Sequence, residues 1–147
     1  MRFVWMLLLL TAASCEEIAK PNTRCSGEFL QNSVMRCAQI YGATEDDLND
    51  VFQLKPAASY KMKCFRACVF TECKSFTNDG TFVSNIPQTT AFLTSRKNAS
   101  NYEIVEEIAE DCVYKLTDIR DVCELTDQFL QCIGENTPEG VTLEGSY

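Results

Sequence analysis

Residues 59–73 read Ser-Tyr-Lys-Met-Lys-Cys-Phe-Arg-Ala-Cys-Val-Phe-Thr-Glu-Cys, and the cysteine spacing in this stretch decides the fold. Cys64 and Cys68 stand four residues apart, about one helical turn, so on a helix they share a face. A disulfide closed within one regular helix is poorly shaped, so each of the two must reach a different element. Cys73 lies half a turn round from Cys64 and faces away from it. The segment therefore predicts a central helix, from Ser59 to about Phe76, stapled to more than one neighbour.

Working outward, apolar spacing reads as helix nearly throughout. Phe29, Leu30, Val34, Cys37 and Ile40 recur at helical intervals within Ser26–Tyr41, and Gly42 closes that helix. Thr44 followed by Glu45, Asp46 and Asp47 is an N-cap with acids in the first turn. Leu54-Lys55-Pro56 ends this short second helix, because proline disfavours helix in the residue before it. Asn78-Asp79-Gly80 is a turn signal. Residues 81–100 have no clear period, and a short helix is expected after Pro87. Ile104, Val105, Ile108, Ala109, Cys112, Val113 and Leu116 form one stripe along Asn101–Leu116. A last helix is expected over Asp121–Ile133 with Gly134 as its C-cap. Cys123 and Cys132 fall on opposite sides of it, and Cys112 on the preceding helix is a natural partner for one of them.

The N-terminus has a different character. Arg2 precedes an unbroken apolar run, Phe3–Leu10, and small residues follow at Thr11–Ser14, the layout of a secretory signal peptide. The run is far short of the roughly 20 residues a membrane span needs. Small residues before Cys15 loosely resemble a bacterial lipoprotein signal, but Ala12 stands where leucine is usual. Of the nine cysteines, eight remain to pair if cleavage removes residues 1–15, whereas a cut one residue earlier would leave a free thiol. Residues 16–147 then form one domain. Losing Arg2 takes the formal charge from −8 to about −9, a surface that would repel nucleic acid and anionic membranes. The sequence has no histidine, which removes Ser-His-Asp and Cys-His catalysis, histidine zinc sites and the usual protonation switch near neutral pH. No nucleophile–base pair stands out, so no enzyme is expected. The cysteines do not form two CxxC pairs, and in a secreted chain disulfides are favoured over a metal.

Taken in order, Cys37, Cys64, Cys68, Cys112, Cys123 and Cys132 are separated by 26, 3, 43, 10 and 8 residues. This pattern resembles the six-cysteine signature of the insect odorant-binding proteins, the pheromone and general odorant-binding family. The resemblance implies an all-α, compact, disulfide-stapled bundle of about six helices around an apolar cavity. It implies the interlocked pairs Cys37–Cys68, Cys64–Cys123 and Cys112–Cys132, and it leaves Cys25 and Cys73 for a fourth bridge. By offset from the cysteines, Leu30, Leu54, Phe70 and Ile133 become candidate ligand-binding residues. Phe29, Phe65, Phe76, Phe92 and Phe129 are added as large apolar side chains on the right elements, and for them ordinary core packing is an equal reading. Tyr60 or Tyr114 could offer a ligand a hydroxyl. The implied partner is a small hydrophobic molecule such as an odorant, pheromone or lipid, with no cofactor. A membrane receptor and a monomeric or weakly dimeric state complete the expectation. A non-olfactory member of the same fold, sequestering other lipophiles or binding a protein, is the alternative. Acid-triggered release through histidine, described for some members, has no residue to act through here. Asn98-Ala99-Ser100 is a glycosylation sequon, and Val141, Leu143 and Tyr147 in the polar tail could form a lid.

Overall fold

The computed structural model describes residues 21–95 and 98–141. The expected signal peptide with its cleavage point, and the expected lid of the tail beyond Val141, lie outside the described residues. Among the described residues six α-helices follow one another: α1 (Gly27–Tyr41), α2 (Glu45–Phe52), α3 (Tyr60–Glu72), α4 (Ile86–Thr94), α5 (Tyr102–Lys115) and α6 (Val122–Asn136). A short 3-10 turn at Ala99–Asn101 leads into α5. Among the described residues the only β pairing is an isolated antiparallel bridge between Phe76 and Phe82.

Local chemistry sets most of the helix ends. Gly42 closes α1 in the left-handed conformation (φ 63°), which glycine adopts without steric cost. Thr44 and Asp47 form a reciprocal capping box on α2. The Ser59 hydroxyl accepts from the Met62 amide at the start of α3, and the Asp121 carboxylate accepts from the Cys123 and Glu124 amides at the start of α6. Each such cap satisfies amides that the first turn leaves without partners.

Central helix α3 packs against α1 and α6, and α5 packs against α4 and α6. Four disulfides fix this arrangement. Cys37–Cys68 joins α1 to α3 and Cys64–Cys123 joins α3 to α6, with Cα separations of 5.9 and 4.4 Å. Cys112–Cys132 joins α5 to α6 at 5.9 Å, and Cys25–Cys73 ties the segment before α1 to the end of α3 at 5.1 Å. The loops closed span 20 to 59 residues, so in the chain-entropy view each bridge contributes about 3–4 kcal/mol.

Four sequence expectations are corrected. Helix α3 stops at Glu72 rather than running to Phe76. Cys73 is drawn to Cys25, Lys74 turns left-handed (φ 57°), and Phe76 instead stacks on Phe82 at 5.3 Å. Gly134 does not cap α6, which continues to Asn136 and ends before Thr137-Pro138. The glycine serves close approach: a Cβ there would sit 3.1 Å from Leu54 Cβ. Ile40 and Ile104, assigned to apolar stripes, are exposed. The short helix expected after Pro87 begins one residue earlier, at Ile86, with the proline in its first turn, where a missing N–H costs nothing.

Two buried clusters make the core. Ile86, Ala109, Cys112, Phe129 and Ile133 form one. Cys37, Met62 and Phe65 form the other.

Candidate functional site: an apolar cavity beside α3

A cavity of about 160 Å³, partly open to solvent, draws its walls from five helices. Leu30 and Val34 enter from α1, and Leu48, Val51 and Phe52 from α2, with Leu54 from the loop that follows. Phe65, Arg66, Val69 and Phe70 enter from α3, Thr90, Leu93 and Thr94 from α4, and Phe129 and Leu130 from α6. Within each helix these positions fall three or four apart or adjacent, so each element turns one face to the same space. Phe52 is the most exposed of the lining residues, at 36%. Behind the cavity an aromatic wall extends inward: the Phe129 ring lies 4.9 Å from that of Phe82 and edge-on to Phe70 at 6.4 Å.

One charged group borders this apolar space. Arg66 is buried, and its Nη1 donates to Asp127 Oδ1 and to the Lys55 carbonyl, both at 2.7 Å. Asp127 is equally buried and also accepts from the Ala57 amide (3.0 Å) and from Gln131 Nε2 (2.8 Å). Lys63 approaches Asp127 Oδ2 at 3.7 Å but bonds chiefly to Glu124, at 2.9 and 3.0 Å. Burial pulls the Arg66 guanidinium below its ordinary pKa, and Asp127 draws it back up. It stays protonated at any physiological pH. Through these bonds the ion pair anchors the α2–α3 loop, and hence Leu54, to α6.

Of the residues singled out from sequence, Leu30, Leu54, Phe65, Phe70 and Phe129 meet around the cavity, while Phe76, Phe92 and Ile133 lie outside its lining. Ile133 is buried among core residues, and Phe76 stands behind Phe70 in the aromatic wall. Phe29 lies beneath the Arg24 guanidinium, 5.1 Å from its ring centre. Tyr114 is 79% exposed, and the Tyr60 hydroxyl donates to Asp121 at 2.6 Å, so neither hydroxyl reaches the cavity. Val34 and Val69, missed from sequence, stand one turn after Leu30 and Phe65 and were accessible to the same facing argument. Arg66 carried no such signal, because a charged residue between two helix cysteines ordinarily faces water.

Asn98 is exposed, and its side chain accepts from the Ser100 amide and hydroxyl. Among the described residues there is no cluster of side chains suited to a metal ion, and no helix is long and apolar enough to cross a membrane.

Comparison with known proteins bears on what this geometry belongs to. The family model for the PBP/GOBP family matches residues 19–136. This chain belongs to that family. Within it, general odorant-binding protein 28a of Drosophila melanogaster is 27% identical over 113 residues, covering 76% of this chain and 78% of the relative. The solved structure of that Drosophila protein superposes with a TM-score of 0.61 at 25% identity, over 74% of this chain and 88% of that one. A pheromone-binding protein of the cockroach Leucophaea maderae, in complex with the fluorescent reporter anilinonaphthalene sulfonic acid, gives 0.60 at 21% identity, over 75% and 92%. Odorant-binding protein 5 of Apis mellifera gives 0.56 at 19%, over 78% and 90%. In this chain the six cysteines of the spacing pair as three bridges, and Cys25–Cys73 is a fourth outside that spacing.

Proposed function

We propose that this chain is a secreted carrier that binds small hydrophobic molecules, of the odorant or pheromone kind, in the cavity beside α3. The observation that carries the reading is the lining itself: twelve of its fifteen residues are apolar, leaving only Arg66, Thr90 and Thr94 to orient a ligand. Such a site selects by enclosure and shape more than by any single polar contact. An apolar cavity of about 150 Å³ is enough to hold a benzene ring, so this one takes a small ring or short chain, with longer chains extending through the open side. Burying roughly 300 Å² of apolar ligand surface at about 25 cal/mol/Å² contributes about 7 kcal/mol. Before association costs, that corresponds to a dissociation constant near the micromolar range. Secretion is supported by the apolar leader and by four disulfides, which persist in oxidising compartments.

Displacement of a neutral probe such as N-phenylnaphthylamine by a panel of volatiles and lipids tests the reading. Competitors should act at micromolar concentration, and F65W, which crowds the cavity wall, should weaken them together. A folded chain that takes up neither probe nor panel would rule out the carrier function.

A further inference from the structure

Among the described residues, four side chains bury a polar atom with no hydrogen-bond partner: Ser33 (Oγ), Arg66 (Nε), Gln88 (Oε1) and Ser95 (Oγ). Only Arg66 lines the cavity. A guanidinium presents five N–H donors in a rigid fork. Here Nη1 is engaged by Asp127 and the Lys55 carbonyl, while the Nε–H has no acceptor. Buried donors in native proteins are almost always paired, and an unpaired one bordering an apolar cavity calls for an acceptor from that cavity.

Charge decides which acceptor. Arg66 is neutralised by Asp127, and Lys63 by Glu124, at 2.7 and 2.9 Å. Asp50 and Asp47 add further negative field at Arg66. An anionic ligand would therefore bring an uncompensated charge into a low-dielectric space, which is strongly disfavoured. An alcohol accepts a bond but brings its own O–H, which needs a second partner. A carbonyl oxygen needs only a donor.

We infer that Arg66 is the polar anchor of the cavity and selects ligands that carry a neutral carbonyl, as in a ketone, aldehyde or ester, on an otherwise apolar body. This rests on the carrier reading and names the ligand class for it. The anchor is built into the wall: α3 supplies the guanidinium, and Asp127 of α6 with the α2–α3 loop fixes its orientation.

The test compares hexyl methyl ketone with its isostere bearing a methylene in place of the oxygen, each displacing N-phenylnaphthylamine from the full disulfide-bonded chain. The variant is R66M/D127N. It removes both buried charges together and keeps an amide oxygen for the Ala57 N–H. The ketone-to-alkene affinity ratio should fall about tenfold in the variant, whatever change R66M makes to alkene affinity itself. An unchanged ratio in the folded variant overturns the anchor. Should the variant not fold, infrared spectra of the ketone bound to the parent chain decide. A carbonyl stretch moved below its position in alkane solvent supports a hydrogen bond from the cavity wall, as the anchor requires, and an unmoved one refutes the anchor. Octanoate that binds tighter than the ketone at neutral pH would also refute it, on charge. If neither ketone nor alkene displaces the probe from the parent chain, the carrier reading itself fails, a result distinct from equal binding of both.

Discussion

In a chain carrying C25A and C73A, the bridge between the segment before α1 and the end of α3 is gone while the other three remain. Cys25 and Cys73 are 48 residues apart, and a free loop of that length corresponds to about 4 kcal/mol in the chain-entropy model. That figure is too large here, because Cys37–Cys68 lies inside the loop and shortens it. The unfolded chain can pass from Cys25 to Cys37, across that bridge, and on from Cys68 to Cys73. The effective loop is then about 17 residues, and the expected loss falls to about 3 kcal/mol. For a domain of this size that lowers Tm by about 10–15 °C. Ligand binding should not follow, since neither cysteine lines the cavity and the helix contacts that shape it are held by the other bridges.

Urea unfolding of the unreduced proteins, with probe affinity measured well below the variant's midpoint, separates the two quantities. The m-value should rise as the unfolded state expands. A stability loss below about 1 kcal/mol would refute the loop argument. Unchanged stability with affinity altered more than about threefold, under 1 kcal/mol in free energy, would refute the separation of staple from site.

Two further expectations concern charge. D127A strands the Arg66 guanidinium in the interior and should cost about 3–5 kcal/mol by chemical denaturation. E124A removes a half-exposed partner of Lys63 and should cost under about 1 kcal/mol; equal losses would show that the buried pair is not a special anchor. The pH dependence has a definite sign. Asp47, Asp79 and Asp121 are held below the ordinary carboxylate value of 3.8, chiefly by hydrogen bonds from Thr44, Thr77 and Tyr60 respectively. Depressed folded-state values mean that their stabilisation is present above about pH 4 and is lost as pH falls further. With no histidine in the chain, stability should be flat between about pH 5 and 8. A step near pH 6 in the unfolding free energy would contradict this.

Those features were legible in the sequence to the extent that they depend on local chemistry or on cysteine facing. Thr44, Ser59 and Asp121 each precede a helix and cap it, because a short polar side chain before an apolar period satisfies amides within its own turn. The bridges were legible because the resemblance supplied three pairs and left two cysteines over. What sequence could not reveal is where an element meets a distant one. Gly134 reads as a helix stop by propensity alone, and only the passage of Leu54 across α6 explains a glycine inside the helix. Phe76 reads as a further turn of α3, and only its ring contact with Phe82 across a turn removes it.

Arg66 is the sharpest instance. Its burial depends on a carboxylate 61 residues away, and nothing in the stretch from Cys64 to Cys68 marks it as different from a solvated arginine. The two bridging cysteines fix the rotation of α3 and so hold it in the interior. Cys64 is fixed to α6 and Cys68 to α1, so the residues between them cannot rotate toward water, and Arg66 must find its partner in the interior. The same spacing that decided the fold thereby puts a cation at the edge of an apolar cavity, and the polar character of the site follows from its stapling.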